Sequence, residues 1–367
     1  MATALRGLGV DVREHVHGWL VTPAVMGPAR IDVGLAGTVM RFVAPMAALA
    51  HGDVHLDGDP HARRRPMAPL LDAMGAAGIA VDSAGGYLPV TVHGTGRARG
   101  GAVDIDAAAS SQFISALLLA APRWDEGVLL RHVGARPVPS APHIAMTVAA
   151  LRARGVVVDD STPAQWRVAP GTVAALDVTI EPDLSNAAPF LAAALVSGGS
   201  VTIAHWPEST LQPGAALPDL LRSMGATVHL DDDGLHVDGS GEIDGVDADL
   251  SAVGELTPVL AGLAALARTP SRFRGIAHLR GHETDRLAAL VSEINGLGGA
   301  ASETADGLIV EPRRLQGGLW HAYGDHRMAQ AGAVIGLAVD GVRIDDIATT
   351  TKTLADFPGL WSELLAG

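Results

Sequence analysis

The sequence predicts an α/β fold of two domains that are built from repeated small units. Two observations carry this prediction. The chain has 367 residues, a length that is typical of two domains, and either half is large enough to bury its own core. An amphipathic helical segment that ends at a glycine recurs five times along the chain, and a hairpin of β-rich residues follows each copy.

The helix-ending glycines set the period of this repeat. They are Gly9, Gly78, Gly155, Gly225 and Gly298, so successive copies are 69, 77, 70 and 73 residues apart. Glycine suits this position because the chain reverses there with a positive φ. Such a period is too long for a solenoid and fits a small α/β unit used several times; five unrelated α–β hairpins are the alternative. The first copy lacks the strand and helix that precede the others, so we expect the chain to begin in mid-unit.

The composition excludes several classes of protein. The chain contains no cysteine, which excludes disulfides, thiolate metal sites and a cysteine nucleophile. Its net charge of −14 argues against nucleic acid and anionic membranes as partners. The apolar runs Leu256–Ala267 and Met328–Val339 are too short to span a bilayer, and residues 1–9 lack the pattern of a signal peptide. We therefore expect a soluble cytoplasmic protein.

Three polar segments near the C-terminus indicate chemistry. They cover residues 280–286 (RGHETDR), 323–329 (YGDHRMA) and 349–358 (TTTKTLADFP). The chain has only 26 lysines and arginines against 40 acidic residues. A concentration of basic residues in three short segments is therefore not typical of ordinary solvent-exposed charges. Arginine offers a rigid fork of donors to a carboxylate or phosphate, and lysine offers a point charge. The segments predict a pocket for small, multiply anionic substrates, formed by Arg280, His282, Glu283, Arg286, Asp325, His326, Arg327 and Lys352.

Two segments in the N-terminal half have features that suit an anion. Gly37 stands at the head of an apolar helix, where a glycine lets backbone N–H groups approach a negative charge; a plain helix start is the alternative. Arg63, Arg64 and Arg65 directly precede Pro66, which can open the next helix. Arginines at a helix start are often simply solvated, so this pattern leaves their role open.

Hydroxyl and carboxylate side chains occur at further predicted helix starts. Ser110, Ser111 and Gln112 precede a strongly apolar helix, and Ser140 repeats the arrangement. They are consistent with helix caps, or with donors to a phosphate or a sugar-like ring. Glu255 lies within an apolar run, where a carboxylate is rare without a function such as that of a base; an ordinary acid at a helix N-terminus is the alternative.

These motifs occur in one order along nearly the whole chain. They are LAGTVMRF, RRRPMAPLLDAM, SSQFISALLL, SAPHIAMT, IEPDLSNAAPFLAAA, GELTP, RGHETDRLAAL, DHRMA and TKTLADFP. In this order they resemble the motifs of 5-enolpyruvylshikimate-3-phosphate (EPSP) synthases, the 3-phosphoshikimate 1-carboxyvinyltransferases, and especially of the actinobacterial ones. The sister family, the UDP-N-acetylglucosamine enolpyruvyl transferases, shares the fold but usually carries a catalytic cysteine, which this chain lacks.

The resemblance implies a fold and a reaction. The fold has two domains, each of repeated βαβαββ units that form an inside-out α/β barrel. Residues 1–180 would form the first domain, N-terminally incomplete and mainly on the shikimate 3-phosphate side, and residues 181–367 the second. The reaction transfers the enolpyruvyl group of phosphoenolpyruvate to the 5-hydroxyl of shikimate 3-phosphate and releases phosphate, in the shikimate pathway of aromatic amino acid biosynthesis. In this family glyphosate occupies the phosphoenolpyruvate pocket.

The resemblance also assigns residues to the substrates, position by position. Those matched to shikimate 3-phosphate are Ser110, Ser111, Gln112, Ser140 and Glu255, with His282 where many relatives carry lysine, and with His278 matched more weakly. Those matched to phosphoenolpyruvate are Gly37, Arg65, Gln112, Arg286, Arg327 and Lys352. Those matched to catalysis are Glu255, the family's assigned proton acceptor, Glu283, a second carboxylate implicated in proton transfer, Lys352, Asp325 and His326. The implied reaction uses no metal and no cofactor, and we expect a monomer whose partners are the two substrates.

Two features depart from the family pattern. The family's Asn-Ala-Gly-Thr segment appears here as LAGT at residues 35–38. The family's N-terminal Lys-Ser-x-x-x-Asn-Arg segment, which supplies a lysine to phosphoenolpyruvate and a serine and an arginine to shikimate 3-phosphate, is absent; we expect a mis-set start or a fragment to explain this. An inactive or low-activity relative that binds a ligand or partner without turnover is the alternative function, whereas the retained carboxylates and cations favour an enzyme.

Overall fold

The structure, a computed structural model, describes residues 1–366. The chain forms two compact units, Met1–Asp177 and Val178–Gly367, which we call unit 1 and unit 2. Each unit mixes helices with small sheets. Among the described residues, no helix combines the length and the apolar character that a membrane crossing requires.

The helices and strands are numbered in chain order. Those of unit 1 are α1 (Ala2–Gly7), β1 (Asp11–His15), β2 (Gly18–Thr22), β3 (Ala29–Asp32), α2 (Gly37–Ala47), β4 (His51–Asp57), α3 (Ala68–Ala76), β5 (Val81–Ser83), β6 (Val90–Thr95), β7 (Gly101–Ile105), α4 (Gln112–Ala120), β8 (Val128–His132), α5 (Ala141–Ala153), β9 (Val158–Asp159) and β10 (Gln165–Val168). Those of unit 2 are α6 (Leu184–Ser197), β11 (Ser200–Ile203), α7 (Leu217–Ser223), β12 (Thr227–Asp231), β13 (Gly234–Asp238), β14 (Asp247–Asp249), α8 (Thr257–Leu266), β15 (Ser271–Arg274), α9 (Arg286–Gly296), β16 (Ala300–Glu303), β17 (Leu308–Glu311), β18 (Leu319–Trp320), α10 (His326–Gly336), β19 (Arg343–Ile344) and α11 (Phe357–Ala366).

Three four-stranded sheets share one topology. Their strand orders are β3-β4-β6-β5, β7-β8-β10-β9 and β14-β15-β17-β16. In each sheet the first two strands are parallel and are joined by a helix, and a second helix leads into an antiparallel hairpin. Parallel neighbours need such a crossover, whereas antiparallel neighbours can be joined by a short turn. This is the βαβαββ unit, and the predicted α/β fold of repeated units is confirmed.

The helix-ending glycines adopt the predicted backbone conformation. Gly9, Gly78, Gly155, Gly225 and Gly298 all have φ between 76° and 105°, a region that a side chain makes costly. An antiparallel strand pair follows each of them, namely β1–β2, β5–β6, β9–β10, β12–β13 and β16–β17. The five segments therefore share one element order, which favours a repeat over unrelated hairpins.

Apolar helices form the core of each unit. In unit 1, α2 packs against α4, and in unit 2, α8 packs against α10. Their side chains are buried on nearly every face, as expected for helices that are apolar all round. Strands such as β4 and β6 alternate between buried and more exposed side chains. The centre of each unit is thus formed by these apolar helices, and the strands cover them with one face.

The helices of the core begin at residues that the motifs contain. Gly37 and Gln112 are the first residues of α2 and α4, and Arg286 and His326 are the first residues of α9 and α10. A helix N-terminus carries partial positive charge and backbone N–H groups that lack partners within the helix. An anion near these helix starts therefore meets favourable dipoles in addition to charged side chains.

Candidate active site

Arg286 lies at the centre of a charged cluster in unit 2. Its side chain is 3% exposed, and that of Asp325 is fully buried. Arg286 Nε donates to Asp325 Oδ2 at 2.8 Å and Nη2 donates to Oδ1 at 3.1 Å, which makes a two-pronged charged pair. Burial disfavours the charged guanidinium, but Asp325 and Glu283 outweigh it, so that the pKa of Arg286 is raised. Arg286 is therefore a permanent, rigidly oriented cation.

Glu283 lies between two cations. Its Oε2 accepts a hydrogen bond from Arg286 Nη2 at 3.1 Å, and its Oε1 accepts one from Lys352 Nζ at 2.5 Å. Glu283 precedes α9 by a few residues, and Lys352 ends the 3-10 turn Ile347–Lys352. A carboxylate and an ammonium in direct hydrogen-bond contact can exchange a proton. The pair therefore has the geometry of an acid–base couple.

Glu255 and Arg327 form a second branch of this cluster. Arg327 Nη1 donates to the Ser185 carbonyl at 2.7 Å, and the Ser185 hydroxyl donates to Glu255 Oε1 at 3.5 Å. Glu255 is half-buried in the 3-10 turn Gly254–Leu256, directly before α8. Its negative charge acts on both Arg286 and Arg327, so the three groups share one electrostatic environment. Glu255 is thus an acidic residue near the N-terminus of a helix, which is the alternative that the sequence left open. It also interacts electrostatically with the two buried arginines.

Buried hydrogen bonds hold the segment that contains Asp325. Asp325 caps α10 with its own side chain. Glu293, which lies on α9 with Arg286 and is 5% exposed, accepts hydrogen bonds from the His321 N–H at 2.8 Å and from the Tyr323 hydroxyl at 2.6 Å. Because Glu293 and Arg286 belong to the same helix, these contacts fix the position of Asp325 relative to Arg286.

Two histidines near the cluster, His278 and His326, carry little positive charge at neutral pH. Burial, followed by the positive charge of Arg286, lowers the pKa of His278 to about 4. Burial, followed by the charge of Arg327, lowers the pKa of His326 to about 3. The His282 ring lies 5.6 Å from that of His278, and its Nδ1 is 3.2 Å from Arg286 Nη1. His278 and His326 are therefore neutral groups at pH 7.

Acid should destabilise the fold through His326. The pKa of a histidine is about 6.5 in an unfolded chain, whereas that of His326 is about 3 in the folded chain. Between pH 6.5 and pH 3 the unfolded chain therefore binds more protons than the folded chain. The free energy of unfolding falls as the pH falls through this range. A change from pH 7 to pH 5 should cost about 2 kcal/mol of unfolding free energy at this residue. Urea unfolding at both pH values should show this loss in the unmodified chain and in a control with the exposed His17 changed to Asn, but a smaller loss in His326→Asn. Equal losses in all three proteins would contradict the prediction.

Two of the predicted residues of unit 1, Ser110 and Gln112, contact a buried arginine that we did not predict. Arg41, 4% exposed on α2, donates from Nη1 to Gln112 Oε1 at 2.9 Å and to Ser110 Oγ at 3.3 Å. Its guanidinium lies 4.9 Å over the centre of the Phe113 ring. The available signal was its spacing from Gly37, since residues four apart on a helix share a face. Arg41 orients the amide and a hydroxyl at the start of α4.

Two serines occupy helix N-cap positions without acting as caps. Ser111 and Ser140 precede α4 and α5, yet neither side chain makes a capping hydrogen bond. Ser140 has φ 51° and ψ 43°, the left-handed region that is costly for a residue other than glycine and that is concentrated at functional sites. This favours a ligand-binding interpretation of the two hydroxyls over simple capping.

Gly37 makes room for Arg65. Arg65 is 8% exposed, and its Nη1 donates to the Leu35 carbonyl at 3.4 Å. A Cβ atom at Gly37 would lie 2.8 Å from both terminal nitrogens of Arg65, closer than such atoms can approach. Arg63 and Arg64 are exposed, and Arg63 pairs with Asp57 at 2.7 Å, which agrees with the solvated alternative. Of the three arginines, Arg65 is thus the buried one, and it lies beside Gly37.

Arg280, which the sequence pattern singled out, pairs with an acid outside the cluster around Arg286. Arg280 pairs with Glu303 at 2.8 Å and donates to the Thr304 carbonyl at 3.1 Å, so its guanidinium is used at the surface of unit 2. That Arg280 joins the anion pocket stays a prediction.

Known proteins match the chain along nearly its whole length. A family model described as EPSP synthase (3-phosphoshikimate 1-carboxyvinyltransferase) matches residues 1–361. A 3-phosphoshikimate 1-carboxyvinyltransferase of Kocuria rhizophila is 57% identical over 339 residues, which are 92% of this chain and 76% of that protein. The EPSP synthase structure from Acinetobacter baumannii has a TM-score of 0.75 at 22% identity and covers 100% of this chain and 86% of its own. The enolpyruvyl transferase NikO from Streptomyces tendae has a TM-score of 0.72 at 19% identity, over 99% of this chain and 85% of its own. The two structures share the fold predicted from the sequence.

Proposed function

The chain belongs to the EPSP synthase (3-phosphoshikimate 1-carboxyvinyltransferase) family, and from this membership we propose how its residues divide the reaction. The chain catalyses the transfer of the enolpyruvyl group of phosphoenolpyruvate to the 5-hydroxyl of shikimate 3-phosphate, with release of phosphate. This is a step of aromatic amino acid biosynthesis in the shikimate pathway. The observation that supports the assignment of roles most strongly is the chain of contacts from Lys352 through Glu283 and Arg286 to Asp325.

The reaction is an addition followed by an elimination. In the addition, the 5-hydroxyl oxygen bonds to C2 of phosphoenolpyruvate, the hydroxyl proton passes to a base, and a second proton adds to the methylene carbon C3. In the elimination, the bond from C2 to the phosphate oxygen breaks and a proton leaves C3, which restores the double bond. The protein must therefore supply a base, a proton donor that can take its proton back, and cations for two anionic substrates.

Two carboxylates and a lysine perform the proton transfers in this proposal. Glu255 accepts the hydroxyl proton; its hydrogen bond from Ser185 and the nearby charges of Arg286 and Arg327 support this role. Glu283 and Lys352 exchange the proton at C3, supported by their direct contact. A donor that must also act as acceptor suits such a couple, because either member can hold the proton.

The remaining residues bind and orient the substrates. Phosphoenolpyruvate is held by the cations Arg65, Arg286, Arg327 and Lys352, together with Gly37 and Gln112. Shikimate 3-phosphate is held by Ser110, Ser111, Gln112 and Ser140, with the neutral His278 and with His282 as further hydrogen-bonding groups. Asp325 acts by orienting Arg286, and His326 by packing at the start of α10; their burial supports these positioning roles.

Two substrates should be the only partners of the chain, which acts as a monomer in the cytoplasm. The net charge of −14 opposes binding to nucleic acid and to anionic membranes. Light scattering of the purified chain, with and without both substrates, measures the mass in solution. A stable dimer would contradict this part of the proposal.

Phosphate release tests the proposed function directly. The purified chain should release inorganic phosphate only when both substrates are present, with one phosphate for each enolpyruvyl group transferred. Lys352→Met, which keeps the length of the side chain but removes the ammonium, should suppress the release. Absence of turnover in the unmodified chain would favour the inactive alternative, and equal turnover in Lys352→Met would contradict the role of the lysine.

Arg327→Ala should weaken the binding of phosphoenolpyruvate far more than that of shikimate 3-phosphate. The expected loss is about 10- to 100-fold, because hydrogen bonds to a charged group contribute about 1.5–3 kcal/mol. Calorimetric titration of each ligand measures the two losses separately. Arg327→Lys keeps the charge but loses the planar fork, so it should fall between Arg327→Ala and the unmodified chain. Equal losses for both ligands would contradict the assignment of Arg327.

Gly37→Ala should raise the KM for phosphoenolpyruvate about tenfold and weaken inhibition by glyphosate. The new methyl group would lie 2.8 Å from the guanidinium of Arg65, and this flexible end would have to move, which removes charged hydrogen bonds to the ligand. The fold should tolerate the change, since alanine favours a helix more than glycine does. Gly75→Ala on α3 is the matched control, because its methyl group would meet no atom within 4 Å. Unchanged kinetics in Gly37→Ala would place Gly37 and Arg65 outside the pocket.

A further inference from the structure

Three side chains converge on the solvent-facing side of a sheet in unit 2, apart from the candidate active site. His229 and Asp231 belong to β12, and because alternate residues of a strand point to the same face, their side chains lie together. His236 of β13 stands directly opposite His229. One ring nitrogen from each histidine and one carboxylate oxygen of Asp231 all lie within 4.8 Å of one another.

His236 is oriented by a hydrogen bond from the third strand of the sheet. Thr202 of β11 stands directly opposite His236 on its other side, and its Oγ1 lies 2.9 Å from His236 Nδ1. The other ring nitrogen, Nε2, is 2.8 Å from Asp231 Oδ1, and His229 Nε2 is 3.7 Å from Asp231 Oδ2. Both Nε2 atoms therefore face the same carboxylate. A partner on the remaining ring nitrogen is the usual support of a metal-bound histidine.

The arrangement leaves these groups ordered and accessible. The two rings stack with their centroids 4.4 Å apart and their planes 3° apart. Asp231 stands opposite Gly234, which has no side chain, so the carboxylate has space to turn toward the rings. His229 is exposed and His236 half-buried, and the exposed Asp232 and Asp233 follow in the turn. Their negative charge raises the local concentration of cations.

We propose that His229, Asp231 and His236 bind a divalent transition-metal ion, with Zn²⁺ as the probe. Two imidazoles and a carboxylate bind zinc at about 2.0–2.2 Å, and a water molecule can complete a tetrahedron. The ion takes the place of the hydrogen bond between His236 Nε2 and Asp231, and the ring proton of the neutral histidine then resides on Nδ1, which contacts Thr202. Because β12 is the edge strand of the order β11-β13-β12, the ion links this edge to its neighbour.

Calorimetric titration of the full chain with Zn²⁺ in a buffer that does not bind metal tests the proposal. The chain has 15 histidines, so Zn²⁺ also binds weakly to other histidines. A matched control variant, in which a histidine outside the proposed site is replaced, measures how far this weak binding affects the result. That control is His93→Ala: His93 contacts Asp53 through Nδ1 at 2.9 Å and Asp82 through Nε2 at 3.0 Å, on opposite sides of the ring, so the three side chains do not converge on one ion.

We expect about one equivalent of Zn²⁺ to bind the unmodified chain and His93→Ala, and to raise the Tm of both by mass action. His229→Ala should lose this binding, and Thr202→Val, which removes only the orienting hydroxyl, should weaken it about tenfold. Circular dichroism without metal checks that the variants fold; His229 is exposed, so its replacement leaves the core intact. Equal Zn²⁺ affinity in His229→Ala and the unmodified chain, or loss of the binding in His93→Ala, would overturn the proposal.

Discussion

Asp325→Asn should lower the free energy of unfolding by about 3 kcal/mol, the lower end of the range for breaking a buried ion pair, because the buried Arg286 then keeps Glu283 as a charged partner but loses the two-pronged pair with Asp325. Asp325 is fully buried, and Arg286 is 3% exposed, so water cannot compensate the guanidinium after the change. Asparagine has nearly the same volume and can still cap α10. The loss therefore reports on the charge pair and not on packing or on the helix start. Urea unfolding followed by circular dichroism measures it.

A second acid at a helix start provides the control for this prediction. Asp285 caps α9 by accepting a hydrogen bond from the Ala288 N–H at 3.1 Å, and Asp285→Asn should cost less than about 1 kcal/mol because asparagine caps as well as aspartate does. Asp325→Ala should lose about 1 kcal/mol more than Asp325→Asn, since it also removes the cap. If Asp325→Asn lost no more stability than Asp285→Asn, the buried ion pair would not contribute as the structure implies.

Glu255→Gln should reduce kcat by about 10²- to 10⁴-fold, the usual contribution of a general base. Glutamine keeps the size of the side chain, and its amide oxygen can still accept the hydrogen bond from Ser185, but it cannot take up the hydroxyl proton. Binding of shikimate 3-phosphate should therefore persist while turnover falls. Steady-state kinetics together with calorimetric titration of this substrate separate the two effects.

Ser185→Ala is the control for Glu255→Gln. It removes the hydroxyl that contacts Glu255 but leaves the carboxylate in place. The hydrogen bond is long, 3.5 Å, and a contact of this length is weak, so kcat should change only a few-fold. Near-normal turnover in Glu255→Gln would remove Glu255 from the proton-transfer step, and a Ser185→Ala effect as large as that of Glu255→Gln would show that orientation, not the base, limits the rate.

The fold could be predicted because its main signals are local. A glycine such as Gly225 ends a helix through its own backbone preference, and this preference is visible in a single residue. The regular spacing of Gly78, Gly155 and Gly225 along the chain then indicates the repeat, and no long-range contact has to be known to see it. The cations of the candidate site could also be predicted, because Arg327 and Lys352 stand in polar segments between apolar helices.

Other features could not be predicted because distant contacts create them. Arg41 reaches Ser110 across 69 residues of sequence, and no local pattern links the two. Arg327 donates to the backbone carbonyl of Ser185, 142 residues away, and a carbonyl group has no signature in the sequence. The lowered pKa of His326 likewise arises from burial in the folded chain, so its neutral state at pH 7 is invisible in the motif that contains it.

The position of Glu283 makes it an internal counter-ion for the cations around it. Lys352 and one edge of Arg286 are already neutralised by this carboxylate, so an anion that approaches them must displace Glu283. The binding free energy of such an anion is then the difference between its own attraction to the two cations and the lost attraction of Glu283. The anion therefore binds more weakly than it would to a lysine and an arginine that had no counter-ion. We therefore expect inorganic anions, which gain little from such an exchange, to be poor competitors. Under the proposed roles, we also expect the product phosphate to leave more readily, because Glu283 then recovers its contact with Lys352. Weak retention of ground-state anions leaves more of the interaction free energy for the transition state.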